Sequence, residues 1–297
     1  MAAERWLVTG ALGCLGAWTA ATLVRDGADV VAFDLGTDDR RLRLIASAEE
    51  IEAVERVQGD VTDLAALEGA LTEHDVTHVV HLAALQVPFC RADPVRGSRV
   101  NVTGTVNVFE AAKRHGLATS IAYASSAAVY DATGAVAPTT LYGVYKLANE
   151  GTASVYWQED GVASIGLRPF SVYGPGRDQG VTSGPTLAIE AAVRGEPYRI
   201  AFGGRTQLHY APDVARAFVA AARRSPTGAE TYNLGGPVTA IADFAAAVEN
   251  AVPGARVTFD PRPLPFPDEL PQPWFDVPLT PLEQGIRETA AFLAAAV

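Results

Sequence analysis

Short apolar runs alternate along the first half of the chain with longer amphipathic stretches. Trp6-Leu7-Val8 ends at Thr9-Gly10, and Cys14 to Arg25 then carries helical spacing, which predicts a strand, a tight turn and a helix. The same order recurs downstream. Asp29 to Asp34, Val54 to Gln58 and His78 to Leu82 read as further strands, with helical patterns between most of them. A helix from about Val95 to His115, a strand over Ser120 to Ala124, a helix from about Tyr142 to Glu159 and a strand over Ser164 to Arg168 follow. Strands that alternate with helices specify a parallel sheet covered on both faces, so the expected class is α/β and doubly wound.

Past Arg168 the pattern breaks up. Gly174-Pro175-Gly176 and Gly203-Gly204 interrupt it, and the run from Pro261 to Pro281 holds eight prolines among bulky residues such as Phe266, Trp274 and Phe275. Those aromatics favour burial, so a loop over a surface or along a cleft is expected there in preference to an exposed polyproline ligand. The expected division is a doubly wound domain over residues 1–170 and a smaller, substrate-binding subdomain over 171–297, with part of 205–235 returning to the main sheet.

The 297 residues are 48% hydrophobic and 19% charged, enough apolar content for a well-buried core and too little charge for a disordered chain. A net charge of −11 with no Lys/Arg-rich run repels phosphate backbones, which argues against nucleic acid as a partner. Cys14 and Cys90 are too few for a disulfide framework and neither sits at metal-ligand spacing. Free thiols in a reducing cytoplasm, and no metal, are therefore expected. Met1 to Glu4 lead into the first apolar run without a basic leader and cleavage site, and no apolar stretch of about 18 residues occurs, so neither export nor a membrane span is expected.

Thr9-Gly10-Ala11-Leu12-Gly13-Cys14-Leu15-Gly16 puts three glycines at a strand-to-helix junction. Gly10 permits a tight turn, Gly13 lets the backbone approach a pyrophosphate, and Gly16 lets helix pack on strand, while the helix N–H groups face the phosphates. Three glycines also make ordinary turns. Asp34 shifts the balance toward a dinucleotide, because it closes the next strand where a carboxylate accepts both hydroxyls of an adenosine ribose. The same carboxylate repels a 2′-phosphate, which favours NAD over NADP, although Arg40 and Arg41 close by keep NADP open. Asp60 reads either as an acceptor for the adenine amine, with Val61 on the ring, or as a turn or N-cap acid.

Tyr142 and Lys146 share one face of an expected helix. A nearby ammonium, like a nicotinamide cation, favours phenolate and suits Tyr142 to take or give a proton at a substrate oxygen. Ser125-Ser126 follows the fifth strand, at the edge where strand C-termini gather ligands, and Ser126 would hold that oxygen beside the tyrosine. Taken alone, Tyr-x-x-x-Lys and Ser-Ser are common structural patterns. Their placement behind the glycine turn points to hydride transfer at a hydroxyl-bearing carbon.

On these residues the chain resembles the extended short-chain dehydrogenase/reductase family, also called NAD-dependent epimerase/dehydratases, over nearly all of its length. Further matching elements are His81-Leu82-Ala83-Ala84, Asn101-Val102-Thr103-Gly104-Thr105, Arg168-Pro169 and Val172-Tyr173-Gly174-Pro175. The resemblance implies a Rossmann fold. It also implies that NAD is surrounded by the turn from Gly10 through Leu12, Gly13, Cys14 and Leu15 to Gly16, by Asp34, Asp60 and Val61, and by Leu82, Ala83 and Ala84. By the same resemblance Tyr142 and Lys146 meet the cofactor, Lys146 through nicotinamide ribose hydroxyls, and the Val172 backbone meets the carboxamide. Asn101 then relays a proton through water, and the helices of about 95–115 and 141–160 pair across a homodimer interface.

The substrate side departs from the nucleotide-sugar members. Ser171 stands where those members frequently carry Asn, Asp131 where Gly follows Val-Tyr, and Thr206 where a phosphate-gripping Arg is usual, unless Arg205 or Arg177 substitutes for it. Ala127-Ala128 after Ser126 offer no Asp-Glu pair for dehydration. A small sugar, sugar acid or other hydroxy acid fits these gaps better, with Arg177 either clamping a carboxylate or standing as a surface charge beside its turn. Gln86, Ser125, Ser126, Ser171 and His209 complete the substrate candidates, with loop chemistry or packing as the alternative for Gln86 and His209. The expected function is an NAD-dependent dehydrogenase or reductase with Tyr142 as acid/base. The alternatives are a sugar or nucleotide-sugar epimerase that keeps its NAD, and a non-catalytic NAD sensor, which would have no need of Ser126, Tyr142 and Lys146 together.

Overall fold

The computed structural model describes residues 4–224 and 227–295, so Met1 to Ala3, within the stretch behind the no-leader expectation, lie outside the described residues. β1 (Arg5–Thr9) runs into α1 (Cys14–Arg25), and β2 (Asp29–Asp34) is followed by two short helices, α2 (Arg40–Ile45) and α3 (Ala48–Glu52). β3 (Val54–Gln58), α4 (Leu64–Glu73) and β4 (His78–His81) come next. Between β4 and β5 (Ile121–Ala124) lie α5 (Val87–Ala92), α6 (Pro94–Ser98) and α7 (Gly104–His115). α8 (Leu141–Asp160) leads to β6 (Ser164–Arg168) and β7 (Ser171–Tyr173). The remainder holds α9 (Gly184–Val193), β8 (Pro197–Ile200), β9 (Arg205–Tyr210), α10 (Ala211–Arg223), β10 (Ala229–Leu234), β11 (Val238–Ala240), α11 (Ile241–Ala251), β12 (Arg256–Phe259), β13 (Trp274–Phe275) and α12 (Leu282–Ala295).

Eight strands form one parallel sheet in the order β3-β2-β1-β4-β5-β6-β10-β13. Successive side chains of a strand point to opposite faces, and here both faces are covered, which is why the three central positions of β1, Trp6, Leu7 and Val8, are all apolar. Trp6 and Val8 join Trp18 and Leu23 of α1 and Phe218 of α10 in one layer. Leu7 joins Leu67 of α4, Phe109 of α7 and Ala153 of α8 in the other. The strand order reverses between β1 and β4, and the crevice beyond their C-terminal ends is where such sheets take ligands.

A second core gathers Phe170, Tyr173, Ile189, Phe202, Tyr210, Phe244 and Leu264, beside a three-stranded sheet β7-β9-β11 and the pair β8-β12. The chain crosses between the two: β9 lies in the small sheet, while β10 pairs with β6 in the large one. β13, from inside the proline-rich run, adds itself to the sheet edge with Asn233 opposite Trp274 and Leu234 opposite Phe275.

The single helix expected from about Val95 to His115 is two helices joined by a π-helical turn at Arg99–Thr103. The wider turn swings Asn101 inward, where its Oδ1 accepts from Leu85 N at 2.8 Å and its Nδ2 donates to Leu85 O at 2.9 Å. Gly104 then lets α7 rest on Val61, since a Cβ there would stand 2.7 Å from Val61 Cγ2. Helical spacing in the sequence carries no mark of that extra residue in the turn.

Candidate active site

Gly10 has φ of +67°, and a Cβ on it would lie 2.6 Å from Ala83 N. β1 and the segment after β4 therefore meet backbone to backbone, a contact that glycine alone permits. Leu82 N donates to Thr9 O and Gly10 N to Phe33 O, which locks the turn between its two neighbouring strands. A Cβ on Gly16 would meet Ala11 Cα at 2.6 Å, so α1 presses directly on the turn. α1 starts at Cys14 with Gly13 as N-cap and no side-chain cap, and Gly13, Cys14, Leu15 and Gly16 all border the cleft. Its leading N–H groups are thus available to an anion.

Asp34 Oδ2 accepts from Leu12 N at 2.9 Å and Oδ1 from Gly36 N at 3.0 Å, which fixes the carboxylate at the lip of the cleft. Asp60 Oδ1 accepts from Thr62 N at 2.9 Å, the geometry of a turn acid, and Asp60 and Val61 still line the cleft with Leu82, Ala83 and Ala84. A turn built on glycines, an uncapped helix end and a fixed carboxylate fit a dinucleotide, whose pyrophosphate Gly13 to Gly16 and whose adenosine ribose Asp34 would hold.

Tyr142 and Lys146 follow one another by a turn on α8. Lys146 is buried, its Nζ donates to Ala124 O at 2.6 Å, and it stands 5.6 Å from the centre of the Tyr142 ring. Burial pulls its ammonium down to about 8, against the opposing pull of Cys90 and Glu150. Gly143 explains why Tyr142 reaches Ser126. A Cβ there would strike Ala128 O and lie 2.9 Å from Pro138 Cβ, so α8 docks directly on the short turn Ala127–Val129 that Ser126 caps. Burial pushes the Tyr142 phenol above its ordinary value, while a hydrogen bond from Ser126 and the charge of Arg177 draw it partway back. The expectation that Lys146 lowers the phenol is corrected here. Desolvation dominates, the ammonium is directed at Ala124 O, and the cation that acts on the phenol is Arg177.

Several candidates turn out to be framework. Ser125 Oγ donates to Glu150 Oε1 at 2.5 Å, and Arg168 binds the same carboxylate through Nε at 2.7 Å and Nη2 at 2.5 Å. Ser125 thus pins the end of β5 to α8, its proton committed to Glu150 although the residue borders the cleft. Ser171 borders the cleft, but its Oγ is paired with Thr206 Oγ1 at 3.2 Å. His209 and Asn101 do not line the cleft. His209 Nδ1 accepts from Phe170 N at 3.0 Å, and burial takes the ring down to about 4. Asn101 spends its amide on Leu85 and on Cys90 Sγ at 3.1 Å, and its carbonyl accepts from Thr105 and Asn149. Ser125, Ser171 and Asn101 are satisfied by neighbours mostly distant in sequence, which spacing does not reveal, whereas His209 pairs through Nδ1 and keeps Nε2 buried without a partner.

Arg177 and Gln86 face one another across Gly180: a Cβ on that glycine would lie 3.1 Å from Arg177 Nη2 and would strike Gln86 Oε1. Gln86 Oε1 and Arg177 Nε are buried without a protein partner. Pro265 and Phe266 of the proline-rich run also line the cleft, which has a volume of about 830 Å³. Val172, Arg41 and Asp178 line it as well. Sequence reasoning missed Asp178 and Glu150, because their partners lie on other elements. Among the described residues no His/Cys/Asp/Glu cluster is arranged to hold a metal ion, and no helix is long and apolar enough to cross a membrane.

The profile of the NAD dependent epimerase/dehydratase family matches residues 6–235. A UDP-glucose 4-epimerase of Mycolicibacterium smegmatis is 32% identical over 262 residues, which cover 84% of this chain and 82% of that protein. Among solved structures, the Thermus thermophilus UDP-glucose 4-epimerase in complex with NAD is similar with a TM-score of 0.81 at 27% identity, covering 99% of this chain and 100% of that one. A partial consensus L-threonine 3-dehydrogenase is similar with a TM-score of 0.86 at 25% identity, covering 98% and 100%. With its doubly wound sheet, its glycine turn and the Ser126, Tyr142 and Lys146 constellation, the chain belongs to the NAD-dependent epimerase/dehydratase family of the extended short-chain dehydrogenases/reductases.

Proposed function

We propose that the protein is an NAD-dependent dehydrogenase or reductase acting at a secondary alcohol or ketone of a small sugar acid or related hydroxy acid. NAD held along the Gly10 to Gly16 turn, with Asp34 at its adenosine ribose and Lys146 at its nicotinamide ribose, supplies the acceptor and donor of hydride. The chain's own residues do the proton chemistry. Ser126 Oγ holds the substrate oxygen, and Tyr142 takes the hydroxyl proton in oxidation and returns it in reduction. Its phenol is raised by burial, so the oxidation rate climbs as pH rises from neutral into the alkaline range.

The observation that carries the substrate class is the pair of buried, unpartnered atoms, Gln86 Oε1 and Arg177 Nε, in the cleft that holds Tyr142. Left open, such groups cost about 1–3 kcal/mol each. A carboxylate on the Arg177 guanidinium and a neighbouring hydroxyl on Gln86 Oε1 satisfy both. Thr206 is buried against Ser171, and Arg205 is exposed at the start of β9, away from the cleft, which argues against a nucleotide phosphate anchored there.

A second reading, epimerisation of a sugar or nucleotide sugar with NAD retained, is favoured by the 32% identity to the Mycolicibacterium smegmatis UDP-glucose 4-epimerase. An NADH absorbance screen against aldonic acids, uronic acids, aldoses and simple hydroxy acids separates the two. The dehydrogenase reading expects turnover with one acid class and a loss of at least ~10²-fold in Tyr142→Phe. Equal rates in mutant and wild type would remove Tyr142 from its role, and tightly held NAD without net NADH from any substrate would select the epimerase.

The reading extends to assembly. Leu141, Val144, Ala148, Gly151 and Val155 recur at helical spacing along an exposed face of α8, with Leu141 45% and Val144 46% exposed. Such a stripe is suited to burial against the same helix of a second copy, in a homodimer. Cys14 and Cys90 are unpaired, in keeping with a cytoplasmic setting.

A further inference from the structure

Arg41 belongs to α2 and Asp178 to the loop after β7, and they meet at the adenosine end of the cleft. Arg41 Nη2 lies 2.8 Å and Nε 3.2 Å from Asp178 Oδ1, while Arg40 Nη2 lies 2.9 Å from Asp178 Oδ2. One carboxylate thus takes both guanidinium groups. Arg41 Nη1 continues to Leu12 O at 3.3 Å, and the N–H of that same residue donates to Asp34 Oδ2. A single residue of backbone therefore separates the Arg41 guanidinium from the acid that faces the ribose.

Two arginines at that distance are suited to a phosphate, since a guanidinium offers planar, paired donors to it. Asp34 alone does not explain why they would decline one. We infer that Asp178 is a cofactor-specificity residue: by occupying Arg40 and Arg41 it withholds the cationic site that a 2′-phosphate would need, and so works with Asp34 to favour NAD over NADP. The inference rests on the dinucleotide reading of the cleft. The Arg41 side chain is 15% exposed and that of Asp178 32%, so water screens this pair only in part. The exposed Arg40 adds less. The loop also has anchors that do not involve Asp178, because Trp18 Nε1 donates to Pro175 O at 2.9 Å and Ser183 Oγ to Gly180 O at 2.9 Å. Neutralising Asp178 therefore releases Arg41, and leaves Arg40 only its contact with Asp38 at 3.5 Å, while those bonds persist.

The test is a fluorescence titration of the purified protein with NADH and with NADPH, which reads binding and not turnover. Asp178→Asn keeps the shape and removes the charge, and Asp178→Ser serves if the first variant melts below the wild type. In either, NADPH affinity relative to NADH is expected to rise about 10-fold or more. That gain is expected to vanish when Arg41→Ala is added. An unchanged ratio in a variant that melts with the wild type overturns the inference. Failure of the wild type to bind NADH is a different result, which removes the dinucleotide reading and the inference with it.

Discussion

The two ends of the cleft are built by different means. At the dinucleotide end the contacts are made by backbone: Gly10 against Ala83, Gly16 against Ala11, Leu82 N on Thr9 O. At the end proposed for substrate the walls are side chains gathered from afar, Gln86 after β4, Arg177 after β7 and Phe266 from the proline-rich run. Backbone contacts tolerate almost no substitution, whereas a pocket of side chains changes its ligand when one residue changes. A shared fold can therefore keep one cofactor end while its substrate end diverges, as the kinship to both UDP-glucose 4-epimerases and a threonine dehydrogenase illustrates.

The largest effect should come from the backbone end. Gly16→Val places a branched side chain where Ala11 Cα leaves no room, and NADH affinity in a fluorescence titration is expected to fall by about 100-fold or more. Binding within a few-fold of wild type would show that the turn yields, and the contrast between the two ends would dissolve. Arg177→Gln should act on the other end alone. Without the guanidinium to hold a carboxylate, the KM for an acid substrate is expected to rise ~10–100-fold, with NADH affinity little changed and the rise of rate with pH displaced to higher pH as the phenol loses that charge. A matching fall in NADH affinity would mean that the ends are not separable.

The smallest effect compares two buried histidines outside the cleft lining, His81 on β4 of the large sheet and His209 on β9 of the small one. His81 Nδ1 pairs with Thr9 Oγ1 at 2.7 Å and Nε2 with Thr105 Oγ1 at 3.0 Å, and burial holds the ring at about 3, while His209 is held at about 4. Both folded values lie below the ordinary 6.5, so the unfolded chain binds more protons in the interval between. Their contribution to stability is therefore complete above about pH 6.5 and is lost as pH falls toward 4 and 3, at up to about 1.4 kcal/mol per pH unit for each ring. Melting temperature should drop from pH 7 to pH 4.5, and His209→Gln should make that descent shallower. A descent equally steep in the variant would shift the acid sensitivity to other groups.

Legibility in the sequence follows the same divide. The glycine turn, Asp34 and the Tyr142 and Lys146 pair were readable because each is a local pattern whose geometry is set by a turn or by one helical repeat. The parallel order of strands was readable from alternation. Ser125, Ser171, His209 and Asn101 were harder to read, because a polar residue looks the same in sequence whether it serves a ligand or a neighbour, and their neighbours Glu150, Thr206, Phe170 and Leu85 lie 16 to 39 residues away. The π-helical turn at Arg99–Thr103 likewise left no trace in the hydrophobic spacing, since the contact that accompanies it, Asn101 to Leu85, is made to a separate segment. The shift of Tyr142 was misjudged because proximity along a helix says nothing of how deeply a hydroxyl is buried.

The strand order carries one more consequence, for how the large sheet stops. Its outer members are β3, which shows exposed Glu55 and Arg56, and β13, two residues long with Pro271 and Pro273 before it and Pro278 after it. Proline has no N–H to offer a further strand, and charge on an edge discourages a neighbour from pairing there. Both borders of the sheet are thus blunted against uncontrolled growth from chain to chain, and the segment that walls the cleft also acts as a terminator.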